Sequence, residues 1–261
     1  MKFSAYFTAA LCLCALSPLA RGAALSLDGN GDFVTFLGTN IPIGNDPFTI
    51  QAWINPTSIP AGGSNGGQIT FWGTQGPTST ANGFRLRGDS AVRHYFWGND
   101  HDESLGGSIL ADTTGPNGDG WHHLGVTYDG TETNWYFNGS LIGTRAVSGV
   151  NVADANYRIG SRLGAEFFDG YLDEISIWDR ALSASEIAGG FGLKLRGDET
   201  NLVALFDFED GFVDVAGGDN IPSPQGDATI LAAVNAPVPE PSRALLVVFG
   251  LAGALLLRRR S

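Results

Sequence analysis

Apolar and polar residues alternate along residues 121–138, with a tight turn in the middle. The turn is marked by Asp129 and Gly130, a pair that readily adopts the positive φ angles of a two-residue hairpin loop. A second turn pair, Asn138 and Gly139, ends the segment. The apolar positions recur at every second residue on both sides of the first turn: Leu124, Val126, Tyr128, Trp135 and Phe137. This period of two predicts an antiparallel β-hairpin with one buried face.

Short segments of the same kind recur along the chain, separated by clusters of Gly, Asn, Asp and Pro. One short helix is predicted at Ala181–Ala188, because Ser183 and Glu186 match a capping box. Residues 210–229 are predicted to be mostly loop, with a closing strand at 228–231. Together with the hairpin, the further segments predict about ten to twelve strands: 25–27, 33–36, 47–54, 69–73, 84–87, 92–97, 157–160, 167–178, 202–208 and 228–231. Many short strands with regular turns are typical of an all-β antiparallel sandwich or jelly roll.

The charge of the chain bears on which classes of partner it can bind. The formal net charge is −12, but six of the fifteen basic residues lie near the two ends. Between residues 23 and 239 there are nine basic and twenty-six acidic residues, which gives −17. A protein this acidic is repelled by phosphate backbones, so nucleic acid is excluded as an expected partner. Both cysteines, Cys12 and Cys14, lie in the apolar N-terminal stretch, so a processed protein would contain none.

Four segments together carry a family resemblance: 48–54, 120–130, 168–175 and 180–187. In these segments the chain resembles the laminin G-like (concanavalin A-like) jelly-roll domains of bacterial secreted proteins, over roughly residues 25–187. The resemblance implies one jelly-roll domain, which we place at residues 24–232. It also raises the question of catalysis, because concanavalin A-like folds include glycoside hydrolases.

Catalysis is not expected from the residues themselves. Glycoside hydrolases need two carboxylates that converge on the glycosidic bond, and the Glu-x-Asp-x-x-Glu arrangement that the resemblance would lead one to expect is absent. His122 and His123 are adjacent strand residues, so their side chains point to opposite faces. The sequence therefore predicts a protein that is not an enzyme. A divergent glycoside hydrolase is the weaker alternative.

Both ends of the chain read as targeting segments. Residues 1–23 combine Lys2, an apolar run and a small-residue cleavage zone, which is typical of a secretory signal peptide. Residues 233–261 contain a Pro-Glu-Pro motif (Pro239, Glu240 and Pro241), an apolar run and three terminal arginines, Arg258, Arg259 and Arg260. This tail resembles the PEP-CTERM sorting signal, which implies cleavage by an exosortase in a Gram-negative bacterium. We expect the apolar run to form a helix that contacts the membrane before processing, and the protein to reach the cell envelope or the exopolysaccharide layer.

A ligand-binding face is predicted on two neighbouring strands. Phe84 and Leu86 alternate with arginines on the first strand, and apolar residues alternate with polar and aromatic ones on the second. If the apolar set faces the core, the exposed face holds Arg85, Arg87, Arg93, Tyr95 and Trp97, extended by the loop 99–101. Aromatic faces stack on sugars and guanidinium groups bind carboxylates, so the hypothesis is a surface for acidic polysaccharide. The alternative is a solvated sheet face on which arginines stack on aromatic rings.

A calcium site is the second hypothesis. Asp28, Asn30 and Asp32 cluster oxygen ligands of the kind that hard cations prefer, with Asp173 as a further candidate. The alternative is ordinary turn chemistry, and no other cofactor is expected. Taken together, the sequence predicts an exported surface protein that binds extracellular polysaccharide or surface glycans. A purely structural matrix protein is the other alternative.

Overall fold

The computed structural model of the chain describes residues 22–59, 66–88, 91–107, 109 and 120–236. The predicted tail motif and terminal arginines lie outside these residues, as does the predicted signal peptide before Gly22. The last two residues of the predicted signal peptide, Gly22 and Ala23, are described. They belong to the first strand and pair with Ala236 and Ala232. No helix in these ranges is long and apolar enough to cross a membrane.

The described residues form two antiparallel sheets packed face to face. The first sheet has the order β10-β9-β8-β3-β12-β1-β15, and β13 also pairs with β12. Its central strands are long and apolar on one side, as the alternation of the sequence predicts. Its strands are β1 (Gly22–Asp28), β3 (Phe48–Ser58), β8 (His122–Tyr128), β9 (Glu132–Phe137), β10 (Ser140–Ala146), β12 (Asp169–Trp178), β13 (Leu202–Phe206) and β15 (Thr229–Ala236).

The second sheet has the order β14-β2-β11-β4-β5-β6-β7. Its strands are β2 (Phe33–Thr35), β4 (Gln68–Gly73), β5 (Ala81–Arg87), β6 (Ala91–Tyr95), β7 (Asp100–Ser104), β11 (Arg158–Ile159) and β14 (Ser223–Gln225). The predicted loop 99–101 is wrong at Asp100 and His101, because both residues lie in β7 and pair with β6. The predicted loop 210–229 likewise contains the short strand β14.

The core lies between the two sheets and is built from the apolar residues of alternate positions. Trp72 and Phe84 of the second sheet meet Phe48 and Trp135 of the first in this layer, and all four are almost fully buried. The Phe84 and Trp135 ring centroids are 5.2 Å apart. Because alternate residues point to opposite faces, every strand that fills this core also presents a second set of side chains outside it.

One helix, α1 (Ala184–Gly190), lies outside the sandwich. Its N-cap residue Ser183 accepts a hydrogen bond from the Glu186 backbone N–H, and the Glu186 side chain accepts one from the Ser183 backbone. This is the capping box that the sequence predicts. The helix begins three residues later than predicted. Ile187 and Leu182 pack it on Tyr136 and Trp178, on the outer face of the first sheet.

Candidate functional site

The outer face of β5, β6 and β7 carries the predicted ligand-binding residues. Phe84, Leu86 and Val92 point into the core, so their neighbours in the chain point outward. The antiparallel register aligns these outward residues in rows across the three strands. Two rows are Arg85–Arg93–Asp102 and Gly83–Tyr95–Asp100. The predicted alternation is therefore correct, and the structure brings Arg85, Arg87, Arg93, Tyr95 and Trp97 together on one face.

Two of these residues are not exposed, contrary to the sequence prediction. Arg85 is 4% and Tyr95 2% exposed, because residues 162–166 fold over this part of the sheet. The Arg85 guanidinium lies 2.5 Å from the Glu166 carboxylate and stacks over the Tyr95 ring at 5.0 Å. Leu163 packs against the cluster that contains Tyr95. Arg85 and Tyr95 thus form the floor of the face.

The remaining arginines of the face are held by two aspartates of β7. Arg93 binds Asp102 with two hydrogen bonds, of 2.5 and 2.6 Å, and lies 3.1 Å from Asp100. Arg87 also forms an ion pair with Asp102. Burial by itself would raise the pKa of Asp102, but the hydrogen bond and charge of Arg93 and the charge of Arg87 outweigh it and hold that pKa below its usual range. These side chains are fixed in place before any ligand arrives.

A groove of about 430 Å³ opens between this face and residues 162–166. We call it the Trp97 groove, after its half-buried aromatic residue. Trp97 adopts a φ of 64°, in the left-handed region, and the Arg162 guanidinium lies 5.6 Å from its ring centroid. A bulky residue rarely adopts this conformation, and such residues concentrate at functional sites. The groove residues used below are Arg93, Tyr95, Trp97, Asp100, Arg162 and Glu166.

Several buried polar atoms around the groove have no hydrogen-bond partner among the residues that the structure describes. They include two donors, Arg85 Nε and Arg162 Nε, and two acceptors, Asp100 Oδ1 and Glu166 Oε2. Buried polar atoms of this kind are rare in folded proteins, because each one forfeits its interaction with water. Four of them around one groove indicate a place where water or a ligand supplies both donors and acceptors.

Comparison with known proteins identifies the fold family. A family model described as the concanavalin A-like lectin/glucanases superfamily matches residues 28–188. The chain belongs to this superfamily. Among solved structures, it is similar to a protein of Bacteroides ovatus that is provisionally described as carbohydrate-binding, with a TM-score of 0.61 and 16% identity over 82% of this chain. The chain spans 61% of the length of that protein.

A second similar structure is the heptameric SAP-like pentraxin of Limulus polyphemus. The TM-score is 0.51 and the identity 17%, and the match covers 81% of this chain and 94% of the pentraxin chain. At this level of identity both likenesses establish a shared fold. No protein of curated function matches the chain.

In this superfamily member the predicted calcium ligands separate into two places. Asp28 and Asp32 lie together, and their carboxylate oxygens come within 4.8 Å of those of Asp227. Asp173 lies elsewhere: Asp28 is paired with Asp169, four residues before Asp173 on β12. Both oxygens of Asp32 accept backbone hydrogen bonds, from Asp227 at 2.8 Å and from Asp28 at 3.2 Å. The cluster therefore also performs the turn chemistry that was the alternative interpretation.

The predicted loop extension of the binding face contributes only in part. Asp100 lines the Trp97 groove, whereas the His101 side chain is buried and lies 2.7 Å from the Thr133 hydroxyl on β9. Asp102, Arg162, Glu166 and Asp227 were not singled out from the sequence. The pairing of β6 with β7 would have identified Asp102, because it lies opposite Arg93. No local pattern marks Arg162 or Glu166, which come from a distant loop.

Proposed function

We propose that the chain is an exported, non-enzymatic protein that binds glycan in the Trp97 groove. The observation that carries the proposal is the combination of a partly exposed tryptophan with buried donors and acceptors that find no hydrogen-bond partner among the described residues. A sugar hydroxyl both donates and accepts hydrogen bonds, and an aromatic face packs against the apolar side of a sugar ring. The description of the Bacteroides ovatus protein is of the same kind.

The ion pairs of the groove bear on the type of glycan. Arg93 is already paired with Asp100 and Asp102, and Arg162 lies 3.1 Å from Glu166. Guanidinium groups that are engaged in this way have less to gain from the carboxylate of an acidic sugar. We therefore propose that contacts to hydroxyl groups, rather than charge pairing with uronic acids, supply most of the binding free energy. An acidic polysaccharide remains within the proposed class of ligands.

Replacing Trp97 with Ala is expected to weaken glycan binding about 5- to 30-fold, because a stacked ring contributes on the order of 1–2 kcal/mol at the centre of a binding site. Binding would be measured by calorimetry with the oligosaccharide that binds the parent protein best on an array of neutral and uronic-acid glycans. Leu141→Ala, at an exposed leucine on β10 of the other sheet, is the matched control. Equal affinities of all three proteins would refute the role of the groove.

The proposal treats the protein as a binder rather than a hydrolase. The groove contains two carboxylates, Asp100 and Glu166, and each is in an ion pair with an arginine. Hydrolysis of a glycosidic bond needs one carboxylic acid that donates a proton and a second carboxylate that acts as base or nucleophile. Paired carboxylates are suited instead to holding side chains in position. Release of reducing sugar from the bound glycan would count against this part of the proposal.

Export and sorting rest on the sequence alone. A signal peptide at residues 1–23 would carry the protein out of the cytoplasm. The Pro239–Pro241 motif, apolar run and terminal arginines would then deliver it to an exosortase, so that the groove faces extracellular polysaccharide at the cell envelope. These assignments stay predictions.

Calcium binding at Asp28 and Asp32 also stays a prediction, and we propose Asp227 as the third ligand in place of Asp173. Three carboxylates within 4.8 Å fit a hard cation, and sites in extracellular modules bind with dissociation constants of about 10⁻⁴–10⁻³ M. At about 5 mM calcium, occupancy of such a site stabilises the folded protein by about 1–2 kcal/mol and raises its Tm by roughly 2–5 °C. Thermal unfolding with calcium and with magnesium tests this. Asp227→Asn should abolish the shift, Asp198→Asn at an exposed site should keep it, and an unchanged Tm in the parent protein would rule out the site.

A further inference from the structure

A second cavity lies on the outer face of the first sheet, on the opposite side of the sandwich from the Trp97 groove. We call it the Glu174 cavity. It has a volume of about 290 Å³ and lies between the strands β3, β8 and β12 on one side and α1 with the residues that follow it on the other. Nothing in the proposed glycan function uses it.

The floor of the cavity is polar. It is formed by Gln51 of β3, His123 of β8, and Glu174 and Ser176 of β12. His123 is 5% exposed, and its Nδ1 atom has no hydrogen-bond partner in the part of the chain that the structure describes. Burial lowers the pKa of His123 to about 4, so the ring is neutral at physiological pH. A neutral imidazole offers one donor and one acceptor.

Glu174 reaches the cavity because β12 is irregular at this point. The register between β12 and β3 shifts between Asp173 and Ser176, and Glu174 has a φ of 47°. The Glu174 side chain is 7% exposed. Burial raises the pKa of Glu174 to about 8, although the charge of Lys194 acts in the other direction. The carboxyl group is therefore mostly protonated at neutral pH and can donate as well as accept a hydrogen bond.

The walls of the cavity are apolar. Trp53 and Trp178 belong to β3 and β12 of the sheet, and Leu182, Leu193 and Leu195 come from the segments around α1. The charged residues at this cavity, Arg180 and Glu186, bind each other at 2.8 Å. A neutral polar floor between apolar walls excludes an ion and favours an uncharged ligand.

We propose that the Glu174 cavity binds a compact, uncharged molecule that has an apolar ring or chain and a hydroxyl or amide group. The polar group would lie on the floor and complete the hydrogen bonding of His123 Nδ1, while the apolar part fills the space between Trp53, Trp178 and Leu193. The volume of about 290 Å³ is at the lower end of the range for ligand pockets, which fits a molecule with a single ring.

The aromatic ring of Phe191 packs against two residues that line this cavity. Phe191 stacks on Trp53, with ring centroids 5.5 Å apart and planes inclined by 21°, and it meets His123 edge-on at 5.6 Å. Gly190 and Gly192 flank Phe191, and a Cβ at either position would meet no other atom within 4 Å.

The test uses two probes of the proposed class, 4-methylphenol and benzamide, with toluene as the matched molecule without a polar group. We expect the first two to quench or shift the fluorescence of Trp53 and Trp178 and to bind at least tenfold more tightly than toluene. His123→Phe keeps a ring but removes the nitrogen atoms, and it should weaken binding of both probes at least tenfold. Trp97→Ala, in the groove on the other sheet, should leave probe binding unchanged.

The two roles of His123 predict different results. If His123 only fills space, His123→Phe will fold with equal or higher stability and bind the probes as tightly as the parent protein, which would overturn the proposal. Titration of the parent protein with 4-methylphenol, followed by the ¹⁵N chemical shifts of the His123 ring, gives a readout that does not depend on a variant. A change of the Nδ1 shift on saturation supports the site. An unchanged Nδ1 shift, or no binding of either probe, overturns it.

Discussion

Replacing Glu174 with Gln is expected to remove the loss of stability that this buried carboxyl group causes as the pH rises from about 5 to 9. Glu174 has a pKa of about 8 in the folded protein, against 4.5 for an ordinary glutamate. Between these two values the folded chain binds more protons than the unfolded chain. The contribution of Glu174 to the free energy of unfolding therefore falls with rising pH over this window and levels off above pH 8. The buried rings of His94 and His123 contribute in the opposite direction below about pH 6.5, because burial lowers their pKa values, and they do so equally in both proteins.

The size of this effect follows from the two pKa values. The difference between 4.5 and about 8 corresponds to about 5 kcal/mol at most, lost progressively across the window. Burial and neighbouring acids also raise the pKa of Asp173 and of Glu209, so these two groups should contribute a decline of the same sign in the variant as well. Glutamine keeps the shape of the protonated acid but cannot ionise, so at pH 9 the variant should be more stable than the parent protein.

Urea unfolding of both proteins at pH 5, 6.5, 8 and 9 measures the effect. The control is Glu186→Gln at the same cavity. The hydrogen bonds of Arg180 and Ser183 hold the pKa of Glu186 at about 2, so this residue does not titrate above pH 5. Replacing Glu186 should lower the free energy of unfolding by about 1 kcal/mol at every pH, because the substitution weakens the capping box of α1. Parallel pH profiles for the parent protein and Glu174→Gln would contradict the prediction.

The alternation of apolar residues predicted the central strands well, because one face of each is buried in a single core. The hairpin β8–β9 and the outward set on β5 and β6 follow directly from this period of two. The three strands that the sequence did not reveal, β7, β10 and β14, are all at sheet edges. An edge strand is held on one side only and here carries mostly polar residues, so its sequence shows no strong period.

The exposure of the binding face could not be predicted from the same pattern. Alternation gives the direction of a side chain, but not what another part of the chain places on top of it. Glu166 and Arg162 cover Arg85 and Tyr95 from a loop about 70 residues further along. The acidic cluster could not be predicted in full for the same reason, because Asp227 joins Asp28 and Asp32 from almost 200 residues away.

His123 illustrates a different limit. The rule that adjacent strand residues point to opposite faces is obeyed: His122 stacks on Phe137 at 5.4 Å, and His123 lies on the outer face. Opposite directions argue against a site that uses both rings together, but they do not show what covers each ring. Helix α1 and the segment after it do cover that face, but they leave the Glu174 cavity beneath them. Only the packing of these segments reveals it.

Gly83→Ala is expected to destabilise the protein by about 1–3 kcal/mol and to disturb the Trp97 groove. Gly83 lies opposite Tyr95 on the outer face of the second sheet, and a Cβ at this position would overlap the Tyr95 ring. The ring would have to leave its packing against Phe71 and its hydrogen bond to Gln68, which measures 3.0 Å. Arg85, which stacks on the same ring, would shift with it.

Gly125→Ala is the matched control in the other sheet. Gly125 is also a glycine within a strand, but a Cβ there would meet its nearest neighbours at 3.6 Å, an ordinary contact. This variant should be as stable as the parent protein or gain about 0.5 kcal/mol, because alanine loses less conformational entropy on folding. Urea unfolding of both variants tests the contrast, and equal effects would show that the Tyr95 ring is not the reason for Gly83.

The clash itself can be isolated with Tyr95→Ala. If the ring is what excludes a side chain at position 83, Gly83→Ala should carry little or no penalty in the Tyr95→Ala background. The double-mutant cycle then gives a coupling free energy of about 1–3 kcal/mol between the two positions. A coupling near zero would mean that the backbone of β5, rather than the ring above it, requires glycine. The Tyr95 ring would then not be displaced in Gly83→Ala, and Arg85 and Trp97 should keep their positions in that variant.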